Sequence, residues 1–256
     1  MIKRFRPTME GEHEREWRAL TLLEEWAPGL APTLMEADSS STAPVVSMSR
    51  LPGTPLRGQT VTTKQLEALA AALTCMHEAV PRSVAARLPP RLWNEHQVVR
   101  GIRARYAQVH RGDVPAVIRR AAAEGFRWLN RTVLASARSP SGPVFGQADG
   151  NLANFLWDGS RIRIVDFEDS GRSDRAYELA EVVEHVSTWV DTDFAVPRFL
   201  DHFDLSRAER RRLLECRRLL ALLWLLLLTL QEPQQVRNPP GTAELQAARL
   251  RGLLGG

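Results

Sequence analysis

The sequence is poor in lysine and cysteine and has no apolar run long enough to span a membrane. Lys3 and Lys64 are the only lysines among 34 basic residues, so the net charge of +4 is arginine set against 30 carboxylates. Such an arginine excess fits a GC-rich genome, and a lysine kept within it marks a position where arginine is a poor substitute. The basic residues are spread along the chain with no basic block interleaved with aromatics, which argues against a nucleic-acid binder. Cys75 and Cys216 are the only cysteines, without C-x-x-C spacing or a secretory signal ahead of them. A disulfide framework is excluded, and a reducing, cytoplasmic compartment is expected. The longest apolar run, Leu219 to Leu230, covers twelve positions. A bilayer needs ~20, so this run reads as a helix buried on all sides, with no membrane partner. Six histidines lack an H-E-x-x-H or a His/Cys pair at ligand spacing, so zinc chemistry has no support.

What remains is an ordinary globular composition. With 44% hydrophobic and 25% charged residues over 256 positions, the chain can bury a core as one domain or two small lobes. Ile2 to Phe5 reads as a strand. Gly11 to Trp26 carries Trp17, Leu20, Leu23 and Trp26 at helical spacing, stopped by Pro28 and Pro32. Two short strands follow, Pro32 to Ala37 and Pro44 to Ser49, around the turn-rich Ser39 to Thr42. Beyond Leu51-Pro52-Gly53 the pattern becomes helical: Thr62 to His77 with Thr62 or Thr63 as cap, Trp93 to Val109, a segment from Asp113 with Pro115 in its first turn, and long helices from Asp174 and Ser206. One stretch interrupts them. Phe155 to Trp157, the Asp158-Gly159 turn and Ile162 to Val165 form a hairpin within Val144 to Phe167. The expected fold class is therefore α+β, with a small lobe over residues 1–53 and a larger, mostly helical lobe over 54–256.

Gly53 to Thr60 has the glycine and threonine spacing of a phosphate-binding loop. Gln59 stands where its lysine belongs and Pro55 removes a backbone donor, so it is read as an interlobe turn. The informative segments are Gln147-Ala148-Asp149-Gly150-Asn151-Leu152-Ala153-Asn154 and Ile164-Val165-Asp166-Phe167-Glu168. Taken singly, Asp149 and Asn154 are ordinary turn residues and Asp166 an ordinary strand-end cap. Taken together they place hard oxygen ligands on both sides of a hairpin, able to converge on Mg²⁺, with a carboxylate beside them to accept a hydroxyl proton. Phosphoryl transfer needs that set, because its catalysis is mostly positioning and neutralisation of phosphate charge.

These segments resemble the aminoglycoside phosphotransferase family and its choline-kinase-like relatives, within the protein-kinase-like fold. The H-G-D-x-x-x-x-N loop of that family aligns with Gln147 to Asn154, and its I-D-[FW]-E strand end with Val165 to Glu168. Val46 to Gly53 matches the interlobe hinge, and Asp174 to Ala180 the start of the D-x-x-x-[DE]-L-A helix. The resemblance implies an ATP-dependent kinase of a small-molecule hydroxyl. Asp149 would be its base, Asn154 and Asp166 its Mg²⁺ ligands, and Lys3, held by Glu16, its contact to the α and β phosphates. Ser49 and Leu51 would offer main-chain hydrogen bonds to adenine.

Two departures stand out. Gln147 and Ala148 replace the histidine and glycine of the loop, though glutamine can still brace it by donating and accepting. A glycine-rich hairpin is also expected before the strand lysine, and Met1 and Ile2 are too few to form one. Either the true start lies upstream, or the chain is a natural truncation with a small lobe open at its lysine strand. The second alternative makes it a weak or inactive pseudokinase acting as a binding module. Finally, Asp166 to Glu184 carries seven carboxylates against Arg172 and Arg175. Such a segment would suit a cationic aminosugar or amino alcohol, unless Asp174 and Glu178 merely stabilise a helix start and Glu181 and Glu184 form its solvated face.

Overall fold

The structure, a computed structural model, describes residues 1–6, 11–38, 44–137, 139–231 and 238–255; the turn expected at Ser39 to Thr42 lies outside them. Strand β1 (Ile2–Arg4) is followed by helix α1 (Glu12–Trp26), with Gly11 in the left-handed region at its start. Strands β2 (Leu34–Asp38) and β3 (Val45–Met48) complete an antiparallel sheet in the order β1-β3-β2, with β1 at one edge. Helix α1 buries Ala19, Leu20 and Leu23, spaced for one helical face, and contacts β2 and β3.

The Gly53 to Thr60 segment is more than a turn. Thr54–Pro55 forms a two-residue strand, β4, that joins the outer edge of the hairpin made by β6 (Phe155–Trp157) and β7 (Ile162–Ile164). Gly53 allows this approach, because a Cβ there would lie 3.0 Å from the Trp157 carbonyl oxygen at a φ of +136°. A second short ladder pairs β5 (Val144–Gly146) with β8 (Gly171–Ser173).

The remaining elements are helical: α2 (Thr63–Ala79), α3 (Arg82–Ala85), α4 (Glu95–Arg111), α5 (Ala116–Leu129), α6 (Arg175–Glu184), α7 (Val196–Asp201), α8 (Arg207–Thr229) and α9 (Thr242–Gly255). Their starts follow capping chemistry. Thr62, Asn94 and Ser206 each close a capping box with the glutamine or glutamate three residues on, and Asp174 accepts the Tyr177 N–H. The helix expected from Asp113 begins instead at Ala116, with Pro115 as its cap. Helix α8 runs through the centre of the helical part, packed on α4, α5, α6 and α9, and buries Leu219, Leu220, Leu222, Leu223, Leu225, Leu226 and Leu228. Each such leucine contributes ~1.5–3 kcal/mol of burial, so α8 is the scaffold on which α6 is held.

Candidate active site

The loop after β5 crosses over the middle of α6, at Glu178 to Val182, before entering a 3₁₀ turn at Leu152–Asn154 and then β6. The crossing is tight. A Cβ on Gly150 would lie 2.2 Å from the Glu181 carbonyl oxygen, so only glycine fits there. Ala148 sits at φ +75°, in the left-handed region that disfavours side chains by about 1–2 kcal/mol, and its peptide is gripped from both sides. Glu178 accepts the Ala148 N–H at 3.2 Å, and Arg91 Nη2 donates to the Ala148 carbonyl at 2.9 Å.

Gln147 ties the two motif segments together. Its Nε2 donates to the main-chain carbonyls of Val165 (3.1 Å) and Asp166 (3.0 Å), while its Oε1 accepts the Asp149 N–H (3.3 Å). One buried amide thus fixes Asp149 relative to Asp166. Asn154 adds a second link, since its main-chain carbonyl accepts the Val165 N–H at 3.0 Å.

Asp149 projects from this frame. Its Oδ1 accepts the Asn151 N–H (3.0 Å) and its Oδ2 accepts Asn154 Nδ2 (2.7 Å). Burial raises its pKa, partly offset by the Asn151 hydrogen bond, and the Asp166 charge pushes it further up. The side chain remains 32% exposed, so a small molecule can reach the carboxylate.

Opposite it, Lys3 on β1 meets three carboxylates: Glu16 on α1 (2.9 Å), Glu168 (2.9 Å) and Asp166, with which it forms a close ion pair. Burial opposes the ammonium charge, but Glu16 and Asp166 outweigh it and hold the Lys3 pKa above its ordinary value. Glu16 is nearly fully buried and also accepts the Phe167 N–H at 2.9 Å, so it positions both the lysine and the segment that carries Asp166. Asp166 itself has φ +67°. The structure therefore brings Lys3, Glu16, Asp149, Asn154 and Asp166 to one place.

The hinge pair differs from expectation in one respect. The Ser49 N–H is donated to the Thr33 carbonyl (2.9 Å) and its Oγ accepts the Thr33 N–H (2.9 Å). That amide is committed to the β2 side of the sheet. Among the described residues, no hydrogen bond occupies the Ser49 carbonyl or the Leu51 main chain, which leaves those groups for a ligand edge.

The residues fit a hard divalent cation brought in with phosphates. Asn154 Nδ2 is used by Asp149, which leaves the Asn154 side-chain oxygen without a donor among the described residues, on the segment whose main chain bonds Val165 next to Asp166. Among the described residues no cluster of three or more His, Cys, Asp or Glu side chains is arranged to hold a metal. Two oxygen ligands are what Mg²⁺ takes from a protein when a nucleotide and water supply the rest.

The acidic stretch is not an open anionic surface. Asp174 pairs with Arg212 (2.6 Å), Glu178 and Glu181 with Arg91 (2.8 Å each), and Glu184 with Arg217 (2.7 Å) and Arg249 (3.2 Å). Glu181 and Glu184 are thus interior ion-pair partners and not a solvated helix face. Asp169 is the exception: its main-chain carbonyl accepts the Leu92 N–H at 3.0 Å, but its carboxylate has no hydrogen-bond or ion-pair partner among the described residues, and burial followed by the Glu168 charge lifts its pKa to about 6.

Sequence reasoning missed Arg91. This fully buried guanidinium lies over the Tyr177 ring, 4.8 Å from its centroid, and joins Ala148, Glu178 and Glu181. No local pattern marks it, because its partners are 57 to 90 positions away. Burial works to raise the pKa of both glutamates. Arg91 overcomes it at Glu178, which is held below the usual range, whereas Glu181 rises to about 7. Also missed was His185, set aside with the other histidines for lacking zinc spacing.

A kinase-like α+β fold with these groups at the junction of the small sheet and the helical part defines a small-molecule phosphotransferase. The chain belongs to the phosphotransferase enzyme family, whose family model matches residues 2–216. No curated protein sequence matches it. Solved structures show the same fold at low identity. A choline kinase from Streptococcus pneumoniae is 17% identical, with a TM-score of 0.60 over 99% of this chain and 85% of that one. An aminoglycoside phosphotransferase from Alicyclobacillus acidocaldarius is 14% identical, with a TM-score of 0.62 over 99% and 83%. A spectinomycin phosphotransferase bound to ADP and spectinomycin is 14% identical, with a TM-score of 0.64 over 98% and 85%.

Proposed function

We propose that this chain transfers the γ-phosphoryl group of ATP to a hydroxyl of a small molecule. The observation that carries the reading is the convergence of Asp149, Asn154, Asp166 and Lys3, tied through Gln147 and Glu16. Asp149 is the base: its Oδ1 is reachable, and its burial keeps the carboxylate poorly solvated and so more basic than usual. Lys3, anchored by Glu16, is the contact to the α and β phosphates. The free Asn154 oxygen and the Asp166 carboxylate would hold Mg²⁺ with the nucleotide, where it supplies neutralisation of phosphate charge. The Ser49 carbonyl and the Leu51 main chain form the adenine edge. We place the division between the small and helical lobes at the hinge, near residue 53.

Because Asp174, Glu178, Glu181 and Glu184 are neutralised by buried or partly buried arginines, their charge does not support a cationic acceptor. The acceptor panel should therefore pair aminoglycosides and amino alcohols with uncharged sugars and polyols. Wild-type protein is expected to turn over ATP with at least one of them, and Asp149→Ala to lose ~10²-fold or more in kcat. Turnover that survives Asp149→Ala removes Asp149 from the base role. The alternative of an inactive binding module drew support from Gln147, but that glutamine makes the brace a loop residue must make. Mg·ATP binding without turnover for any acceptor, water included, would favour it.

A further inference from the structure

His185 caps the end of α6 and opens a 3₁₀ turn at Val186–Thr188. The side chain is 10% exposed and its ring meets the Trp224 ring edge-on, with centroids 4.8 Å apart, so its orientation is fixed by packing. Its Nδ1 accepts the Ser187 N–H at 3.1 Å and lies 2.7 Å from Ser187 Oγ. That hydroxyl also accepts the Leu152 N–H of the Asp149 loop at 2.9 Å, and because Nδ1 already accepts the Ser187 N–H, the hydroxyl is the donor in its contact with Nδ1. A nitrogen that accepts from two donors carries no hydrogen, which assigns the ring proton of the neutral imidazole to Nε2. Burial, with the Arg57 charge as a second cause, holds the imidazole neutral, at a pKa of about 3.

Nε2 faces Asp149 Oδ1 at 3.8 Å. This is too long for a hydrogen bond, and no other acceptor among the described residues meets that N–H. A single ligand oxygen atom would bridge the gap. Two hydrogen bonds of about 2.8 Å close across 3.8 Å at an angle near 85°, and a side-chain shift under about 1 Å opens it toward tetrahedral.

We propose that this oxygen is the acceptor hydroxyl, which receives a hydrogen bond from His185 Nε2–H while donating its own to Asp149. The proposal rests on the reading of Asp149 as the base. In the transfer, the acceptor O–H bond breaks and its proton passes to Asp149 as the oxygen bonds to the γ-phosphorus. The bond from that phosphorus to the β–γ bridging oxygen breaks, and ADP leaves with the electron pair. His185 keeps its proton throughout. It fixes one side of the acceptor oxygen so that a free lone pair points at phosphorus, which makes it an orienting donor and not a second base.

Two variants separate this role from structural support. His185→Asn places its amide near the position of Nδ1, keeping the Ser187 contact but removing the donor toward Asp149. His185→Gln reaches the position of Nε2 and keeps the donor. With Mg·ATP and water as acceptor, and then with the best alcohol of the panel, His185→Gln should keep kcat within several-fold of wild type. His185→Asn should lose ~10–100-fold in kcat, with KM for ATP unchanged in both. Nitrogen NMR of the histidine ring should show the neutral Nε2–H form between pH 6 and 8. An Nδ1–H tautomer, or His185→Asn as active as His185→Gln, overturns the proposal while leaving wild-type turnover intact. A wild type that turns over no acceptor, or retains turnover as Asp149→Ala, overturns the phosphotransfer reading itself and the proposal with it.

Discussion

Asp169 shows how one side chain can report on the site. It sits three positions beyond Asp166, its carboxylate without a partner among the described residues, in the field of Glu168, Asp149 and Glu12, which Arg91 only partly offsets. Its folded pKa of about 6 lies above the ordinary value of 3.8. A carboxyl with a raised folded pKa binds its proton more tightly in the native state, so it costs no stability below pH 4. Its ionisation penalty then grows as pH rises from about 4 to about 6. Asp169→Asn should therefore stabilise the protein at pH 7, by about 3 kcal/mol at most at ~1.4 kcal/mol per pKa unit. The advantage should vanish at pH 4. Urea titrations at both pH values test this, and equal gains at both would place the effect elsewhere. Gln147 teaches the complementary lesson. Its bracing role was legible from side-chain chemistry alone, because an amide offers both a donor and an acceptor. Asp169 was not legible, because its burial follows from the packing around it.

At the scale of elements, the sequence announced what local chemistry controls. Thr62, Asp174 and Ser206 mark helix starts through side-chain caps, and the β6–β7 hairpin follows from alternation around Asp158-Gly159. It did not announce β5 and β8, three residues each, which are held by pairing with each other and, for β8, by a bridge from Arg172 to Pro90, nor the short helices α3 and α7. Helix α6 was read as a start signal followed by charges. In the fold it is the platform for the Asp149 loop, through Glu178 on the Ala148 N–H and through Gly150 pressed on the Glu181 carbonyl. Arg91 completes that platform between two buried carboxylates. Arg91→Ala would leave them uncompensated and should cost ~3–5 kcal/mol in a denaturant titration. Gly150→Ala should cost ~1–3 kcal/mol and depress kcat, because the loop must lift from α6 to admit the methyl group. A Gly150→Ala protein with wild-type stability and turnover would mean that the contact yields easily.

At the scale of the whole molecule, the expected α+β fold is present, and the candidate site falls where Lys3 from the small sheet reaches Asp166 beyond the β6–β7 hairpin. The long-range ion pairs were the illegible part. A net charge counted along Asp166 to Glu184 cannot show that Arg91, Arg212, Arg217 and Arg249 fold back onto it. Nor could it show that Lys3 holds the Asp166 carboxylate. Mg·ATP, binding the native state alone, should raise Tm with concentration, by ~2.7 kcal/mol at 100 times its Kd. For a chain of this size that is roughly 5–10 °C. Asp166→Ala removes one of the two oxygen ligands proposed for Mg²⁺ and should abolish most of the shift. The unliganded Tm should move little, because the Lys3–Asp166 pair is 24% and 37% exposed at its two ends and such pairs contribute ~0–1 kcal/mol. Lys3→Met should weaken the nucleotide shift while leaving the metal ligands in place. Equal shifts for wild type and Asp166→Ala would show that the nucleotide binds without that carboxylate. No shift at saturating Mg·ATP in the wild type would remove the nucleotide from the site altogether.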